Sequence, residues 1–381
     1  MIEFKAQWED ADLGLFRETV ARFVRDEIEP ADELARQQGH VGHALWQKAG
    51  ALGLLCTDIP EEFGGGGGDF RHEAVIGEEL YRRSLTGMNV AVHSIVAHYV
   101  LNHGTEAQKK AWLPRMARGE MVGAIAMTEP GAGSDLQGIR MRAARDGDNY
   151  VLNGTKTFIS NGFLAGLVLV VARTDPAAGA KGISIVAVET KDLPGYRVGR
   201  VLDKIGMKAQ DTSELFFDDV RVPAPHLLGD KEGQGFYQLM SDLSYERLLI
   251  GVNSLAMMAG AYESTLQYVR ERQAFGKPVA DFQNTRFKLA EIATQIQVGR
   301  AFIDRCVALQ LEKQLDATTA SMAKMWASDA LGKVVDECVQ LFGGYGYMNE
   351  YLIGRMYVDA RIQRIYGGTN EIMKEVIARA M

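Results

Sequence analysis

Cysteine is scarce in this sequence of 381 residues, which contains only Cys56, Cys306 and Cys338. No two of them are spaced as C-x-x-C, so the chain carries neither a zinc-binding nor a dithiol motif. Scattered single thiols are typical of a reducing compartment. A basic excess is absent as well, since the formal net charge is −7. Nucleic acid is therefore not expected as a partner, because no surplus of lysine and arginine exists to displace its counterions.

Long apolar runs are also missing. The longest, near residues 164–172, falls well short of the ~18 residues that a membrane-spanning helix needs. The first residues, Met-Ile-Glu-Phe-Lys, do not follow the basic-then-apolar pattern of a secretion signal. We therefore expect a cytoplasmic protein with no membrane span.

The length of the chain and its changes of hydrophobic period predict three domains. A chain of 381 residues exceeds one ordinary core. Residues 1–121 have the three- and four-residue spacing of helices, beginning with Leu13, Phe16, Val20, Phe23, Val24 and Ile28. Pro30 is predicted to end that first helix, and Thr105 is predicted to cap a later one.

Residues 122–231 change to short apolar segments that predict strands. These segments are rich in Val, Ile and Phe, and they lie at 150–154, 167–172, 183–188 and 214–217. The first is predicted to enter a turn at Gly154. Residues 232–381 are helical again, with three long helices and a terminal one. The predicted fold class is α+β: an N-terminal helical domain, a middle antiparallel β-barrel or sandwich, and a C-terminal four-helix bundle.

The clearest local signal is at residues 127–135, Met-Thr-Glu-Pro-Gly-Ala-Gly-Ser-Asp. A proline and two glycines predict a compact turn, whose successive N–H groups can form a concave donor array for a phosphate or a polar ring edge. Thr128 and Ser134 add hydroxyls. The stretch is not the dinucleotide fingerprint, because Leu136 stands where the third glycine should be. On physical grounds alone, a polar surface turn is an equal alternative.

Five stretches resemble the acyl-CoA dehydrogenase family, in order along the chain. They are residues 127–135, 156–162, 272–278, 340–346 and 365–372. One such match would be weak, but five in order on a helix–strand–helix plan of this length are specific. Two further stretches, 209–212 and 366–374, are most similar to the long-chain members of the family.

The resemblance implies α,β-dehydrogenation of an acyl-CoA thioester to trans-2-enoyl-CoA, with electrons passed to an electron-transfer flavoprotein. It also implies one FAD per subunit, bound between the middle and C-terminal domains and completed by a neighbouring subunit of a homotetramer (a dimer of dimers). The matching FAD positions are Ala126, Met127, Thr128, Gly133, Ser134, Phe158, Ile159, Ser160, Arg272, Phe275, Gln283, Gln340, Gly343, Gly344, Thr369 and Glu371. Two of them have simpler explanations: Arg272 as a solvated helix charge, and Glu371 as a support for the last helix.

The base that takes the α-proton must be a carboxylate whose pKa is raised toward neutrality. Many family members place it directly after Ile-Tyr near the C-terminus, where this chain has Gly367. A minority place it on a bundle helix, and the matching position is Glu246. The alternative is that Glu246 is an ordinary acid on a solvated helix face.

Substrate contacts are implied by the same resemblance. The matching positions are Ser134, Lys181, Gly182, Tyr237, Arg247, Gly367 and Gly368. The backbone N–H of Gly367 is expected to donate to the thioester oxygen. Small residues at Gly87 and Ala91 are expected to leave room for a long or branched acyl chain.

Two other functions remain open from the sequence. An acyl-CoA oxidase-like enzyme would return the electrons to oxygen, although such oxidases are much longer and this chain lacks their extra domain. A catalytically inactive helical interaction protein is the second alternative, suggested by Gly367. Retention of Glu246 and of all the flavin stretches favours the dehydrogenase.

Overall fold

The computed structural model describes residues 4–381, and its first third is helical. Six helices form this part: α1 Ala11–Phe23, α2 Glu29–Gln38, α3 His43–Ala51, α4 Phe70–Tyr81, α5 Val90–His103 and α6 Glu106–Ala117. The predicted cap at Thr105 is confirmed, because its hydroxyl accepts from the N–H of Gln108 and the Gln108 side chain accepts from the N–H of Thr105. This reciprocal pair satisfies two N–H groups that the helix itself cannot pair.

The helix predicted to end at Pro30 does not end there. The chain passes from α1 through a π-helical turn, Val24–Ile28, directly into α2. Pro30 lies in the first turn of α2, where a missing N–H costs no intrahelical hydrogen bond. The prediction was wrong because the π turn restarts the helical register just before the proline.

The middle part is a seven-stranded sheet. Its strands are β1 Val122–Ala126, β2 Arg142–Asp146, β3 Asn149–Ser160, β4 Ala165–Arg173, β5 Ile183–Glu189, β6 Tyr196–Val201 and β7 Thr212–Pro223. Their order is β1-β4-β2-β3-β7-β6, and β5 pairs with β4. Most pairs are antiparallel as predicted, whereas β4 runs parallel to both β1 and β2. The turn predicted at Gly154 is absent, since β3 continues through an irregularity in its pairing with β7 at that residue.

The last part is helical and contains the longest helix, α7 Gly235–Glu271. A short hairpin, β8 Gln273–Ala274 and β9 Lys277–Pro278, leads to α8 Gln283–Leu311 and α9 Ala317–Phe342. Two shorter helices, α10 Leu352–Ala360 and α11 Asn370–Arg379, pack on α9. Helix α7 packs against α8 and α9 and also against α4 and α5. It therefore carries side chains into the centre of the molecule.

Within residues 4–381 no helix combines the length and the apolar character needed to cross a lipid bilayer. Over the same residues, no group of three or more His, Cys, Asp or Glu side chains is placed to hold a metal ion. The three cysteines are buried free thiols.

Candidate active site

Glu246 is a buried carboxylic acid in the middle of the fold, with 7% of its surface exposed. It lies on α7 and faces α5, from which the hydroxyl of Tyr99 donates to Oε1 at 3.0 Å. Burial raises the pKa of Glu246 to about 7, assisted by the charge of Asp242 and opposed by the Tyr99 hydrogen bond and by Arg247. A carboxyl group with a pKa near neutrality is suited to accept and release a proton at physiological pH.

Asp242 lies one helical turn before Glu246 and has its own fixed partners. Its carboxylate accepts from Asn102 Nδ2 at 2.7 Å, and its other oxygen lies 2.7 Å from Nε2 of His103. Both partners come from α5, the helix that also supplies Tyr99. Helix α5 therefore supplies the hydrogen-bond partners of both carboxylates, Glu246 and Asp242.

The turn at Gly367 and Gly368 lies against the same stretch of α7. Both residues have positive φ angles, +63° and +86°. A side chain at Gly367 would overlap Cδ1 of Ile250, and Ile250 lies one helical turn after Glu246. The structure thus places position 367 against the residue that lies one helical turn after position 246 on α7.

Two buried cations lie beside this turn. Arg247 is 5% exposed and donates to Ser321 Oγ on α9 at 3.1 Å, while its Nε has no hydrogen-bond partner in the described chain. Lys324, also on α9, is fully buried and donates to the carbonyl oxygen of Gly368 at 2.7 Å. Sequence reasoning identified Arg247 but missed Lys324, Tyr99 and Asp242, because no motif marks single polar residues in apolar helices.

The predicted compact turn at residues 127–135 is confirmed. Glu129 and Ala132 exchange two backbone hydrogen bonds of 2.9 and 3.1 Å. Lys156, buried in β3, fixes the loop from behind by donating to the carbonyl of Met127 and to the carboxylate of Glu129, each at 2.9 Å. On the other side, apart from the residues next to it in sequence, no atom of residues 4–381 lies within 4 Å of where a Cβ of Gly133 would be. The loop therefore presents an open face beside the end of β1, which contains Ala126.

The end of β3 provides an aromatic surface. Phe158 has a φ of +59° at a break in the β3–β7 register, and 67% of the side chain is exposed. Ile159 is buried beside it, and the hydroxyl of Ser160 accepts from Gln210 Nε2 at 2.9 Å. An exposed ring next to a hydroxyl fits a flat, hydrogen-bonding cofactor such as a flavin. The residues present thus fit the expected group.

The structure divides the predicted FAD positions of the last domain into two groups. Thr369 and Glu371 lie at the start of α11, where the Thr369 hydroxyl caps the helix by accepting from the N–H of Ile372. The others lie at the C-terminal ends of α7 and α9 or at the N-terminus of α8: Arg272, Phe275, Gln283, Gln340, Gly343 and Gly344. Because α7 runs continuously from Glu246 to Arg272, these two residues are ~39 Å apart at 1.5 Å per residue. One chain does not bring the second group to Glu246.

The remaining substrate positions approach the first turn of α7. Lys181 and Gly182 lie in a 3₁₀ turn, and the Lys181 carbonyl packs so closely on Gly233 that a side chain there would overlap it. Tyr237, in the first turn of α7, is 56% exposed. The prediction that Gly87 leaves room for an acyl chain is not supported, because a Cβ at this position would meet Val41 and Ala209. Its small size serves close packing and does not open space for an acyl chain.

Comparisons with known proteins identify the chain. Sequence models of the N-terminal, middle and C-terminal acyl-CoA dehydrogenase domains match residues 10–120, 124–220 and 233–381. The mitochondrial long-chain specific acyl-CoA dehydrogenase of Rattus norvegicus is 52% identical over 368 residues, which cover 96% of this chain and 85% of that protein. The mitochondrial isovaleryl-CoA dehydrogenase of Arabidopsis thaliana is 36% identical, with 96% and 90% covered.

Solved structures agree with the sequence comparisons. An acyl-CoA dehydrogenase from Geobacillus kaustophilus superimposes with a TM-score of 0.95 at 43% identity, covering 99% of both chains. A Mycobacterium smegmatis glutaryl-CoA dehydrogenase in complex with FADH2 gives 0.91 at 30% identity, covering 98% of this chain and 95% of that one. The fold, together with the matching sequences and solved structures, defines an oxidoreductase that acts on acyl-CoA thioesters. The chain belongs to the acyl-CoA dehydrogenase family, flavoproteins of fatty acid β-oxidation that depend on FAD.

Proposed function

We propose that this chain removes two hydrogens from a long-chain or branched acyl-CoA to give trans-2-enoyl-CoA, with Glu246 as the base. The observation that carries the proposal is a buried carboxyl group whose pKa is raised to about 7 beside a hydrogen-bonding tyrosine. FAD, when bound, supplies the acceptor for the β-hydride at its N5 atom. The residues of the chain supply the proton acceptor, the polarising donors and the exclusion of water.

The hydrogen bond from Tyr99 assigns different roles to the two oxygens of Glu246. Because the tyrosine hydroxyl donates to Oε1, we assign Oε2 to the α-proton. The N–H of Gly367 is proposed to donate to the thioester oxygen, which stabilises the charge that develops as the proton leaves. Ser134, Lys181, Gly182, Tyr237, Arg247 and Gly368 are proposed as further substrate contacts.

The proposed FAD site uses residues of two chains. The loop at 127–135 and the Phe158 face would bind the flavin end, and Thr369 and Glu371 would bind it nearby. The distant group around Arg272 would serve the cofactor of a neighbouring subunit, because it is ~39 Å from the base of its own chain. We propose a homotetramer, a dimer of dimers, and light scattering of an active monomer would contradict it.

The cofactor itself gives the first test. The purified protein is expected to be yellow and to show a flavin spectrum with about one FAD per chain. The second test is anaerobic mixing with acyl-CoA thioesters, which should bleach the flavin. A colourless protein that takes up no FAD on titration would contradict the proposed cofactor site, and a yellow protein that no acyl-CoA bleaches would support the inactive alternative.

The acyl group is proposed from similarity. A relative named as long-chain specific is 52% identical, whereas the isovaleryl-CoA dehydrogenase of Arabidopsis thaliana is 36% identical. Palmitoyl-CoA should therefore bleach the flavin faster than butyryl-CoA or isovaleryl-CoA. A preference for isovaleryl-CoA would select the branched acyl group over the long-chain one, and a preference for butyryl-CoA would contradict both.

An electron-transfer flavoprotein is the proposed electron acceptor. A solved structure described as an electron transferring flavoprotein of Acidaminococcus fermentans is similar to this chain, with a TM-score of 0.93 at 35% identity. We expect such a flavoprotein to reoxidise the bleached enzyme rapidly. We expect oxygen to reoxidise it slowly. Fast oxygen consumption with substrate alone would favour the oxidase.

Two further assignments are part of this proposal. The domain boundaries at 121/122 and 231/232 are tested by limited proteolysis and by expression of the separate segments. The cytoplasmic location is tested by fractionation of cells that produce the protein, and recovery in mitochondria would exclude it. Mitochondria are the alternative because three similar animal proteins are named as mitochondrial.

A further inference from the structure

Lys324 is a buried lysine whose hydrogen-bond partners within residues 4–381 include no carboxylate. It lies on α9 with none of its surface exposed. Its Nζ donates to the carbonyl oxygen of Gly368 and to Oδ1 of Asn370, both at 2.7 Å. A buried ammonium group loses its hydration, and here it regains hydrogen bonds only from the turn that follows Tyr366. The contact therefore has the form of a clamp on that turn.

Asn370 extends the clamp along α9. Its Nδ2 donates to Ser328 Oγ and to Asp329 Oδ1, both at 3.0 Å. The two oxygens that accept from Lys324 are the Gly368 carbonyl and the Asn370 side-chain amide. Both residues are thus fixed to α9. Thr369, between them, caps α11. Lys324, Ser328 and Asp329 of α9 thus hold the turn through four hydrogen bonds.

The fixed turn packs on α7, the helix that carries the base. Gly367 packs against Ile250, and one turn earlier on α7 lies Glu246. On α9, Ser321 accepts from Arg247, and Lys324 follows three residues later on the same helix. One face of α9 therefore sets the position of α7, through Ser321, and of the Gly367 turn, through Lys324.

We propose that Lys324 is a positioning residue, which holds the N–H of Gly367 in register with the carboxylate of Glu246 by clamping Gly368 and Asn370. The inference rests on the proposed function, in which that N–H polarises the thioester. Burial and the nearby Arg247 lower the pKa of Lys324 to about 8. The absence of a carboxylate contact fits a role in geometry better than a role in ion pairing.

The test is Lys324→Met, which keeps the side-chain volume and removes all three donors. The matched control is Lys333→Met, an exposed lysine on the same helix. Misplacing a reacting group by about 1 Å can cost about 10²-fold in rate. We expect flavin reduction by saturating acyl-CoA to fall about 10²-fold in Lys324→Met, with substrate affinity and FAD content within about threefold of the wild type. Lys333→Met should match the wild type.

A spectroscopic readout separates positioning from a general loss of structure. A conjugated aromatic enoyl-CoA absorbs at longer wavelength when its carbonyl oxygen accepts stronger hydrogen bonds. The red shift on binding should be reduced in Lys324→Met and unchanged in Lys333→Met. Thermal unfolding of the protein without ligand checks that the variant is folded.

A double-mutant cycle tests the route through the turn. If Lys324 acts through Asn370, then Lys324→Met combined with Asn370→Ala should lose no more than the more damaging single change, because the effects of coupled residues do not add. Additive losses would overturn the route. If Lys324→Met does not fold, Asn370→Ala alone decides: an unchanged rate and red shift overturn the proposal.

Failure of the inference differs from failure of the proposed function. A wild-type protein that no acyl-CoA bleaches would remove the proposed function and the inference together. A wild type that bleaches, with a Lys324→Met variant of equal rate and equal red shift, would overturn the inference alone.

Discussion

Ile250 occupies the space that a side chain on Gly367 would need. Ile250 is one helical turn from Glu246 on α7, so position 367 packs on α7 one turn beyond Glu246. The chain has a carboxylate at position 246 and a bare glycine at position 367, with a positive φ angle. These are the two positions that the resemblance proposes for the base, and only position 246 carries a carboxylate in this chain.

The first prediction concerns Glu246→Gln. Glutamine keeps the shape and can still accept from Tyr99, but it cannot take a proton at neutral pH. Loss of a positioned base should slow flavin reduction about 10²–10⁴-fold, or roughly 3–5 kcal/mol, with little change in acyl-CoA affinity. Anaerobic stopped-flow bleaching measures both. Glu263→Gln, at a half-buried residue of the same helix that pairs with Arg82 and not with Tyr99, is the control. Near-normal bleaching by Glu246→Gln would refute the base.

The second prediction moves the carboxylate. Gly367→Glu in a Glu246→Gly background should recover part of the flavin-reduction rate. A side chain with positive φ costs roughly 1–2 kcal/mol, and Ile250 obstructs it. Adding Ile250→Ala should therefore increase the recovery. If the triple variant is as inactive as Glu246→Gly alone, the two positions are not equivalent in this chain.

The third prediction is the pH dependence of flavin reduction. The rate needs ionised Glu246, whose pKa is about 7, so it should fall as the pH drops through that value. Tyr99→Phe removes a hydrogen bond that lowers this pKa, and the midpoint should move to higher pH. Asp242→Asn removes a charge that raises it, and the midpoint should move to lower pH. Each shift should be about one unit.

The control for the pH profiles is Tyr245→Phe. Its hydroxyl donates to Asp58 at 3.0 Å and not to Glu246, so the midpoint should stay in place. Shifts of the same sign in Tyr99→Phe and Asp242→Asn would contradict the assignment of the titrating group.

The fourth prediction is that the base lowers stability above neutral pH. The pKa of Glu246 is raised in the folded state, so the folded protein binds a proton that the unfolded chain releases. Below the pKa of the unfolded chain, Glu246 is neutral in both states and its burial does not reduce the free energy of unfolding. As the pH rises from that value to about 7, keeping the proton on Glu246 in the folded state reduces the free energy of unfolding. Glu246→Gln should unfold a few degrees higher than the wild type at pH 8, and the difference should shrink at pH 5. Calorimetry at the two pH values measures it.

The sequence predicts the fold well where a helical hydrophobic pattern continues over many residues, as in α7. It predicts poorly where a single residue determines whether an element ends. The sequence predicts a helix end at Pro30, because the π turn before the proline has no sequence signature. Glu246 was found by resemblance, and a lone acid on a helix would otherwise be dismissed. Tyr99 could not be found, because its contact with Glu246 joins positions 147 residues apart. Lys324 was missed for the same reason.

The length of α7 has a genetic consequence. If the Arg272 end of each chain completes the cofactor site of a neighbour, a chain with Glu246→Gln still lends an intact Arg272, and a chain with Arg272→Ala still has its own base. Two defective alleles expressed together should then rebuild some complete sites. Co-expression should yield mixed assemblies that acyl-CoA bleaches in part, although neither parent homo-oligomer reacts at a comparable rate. Such complementation would not occur if each chain closed its site alone.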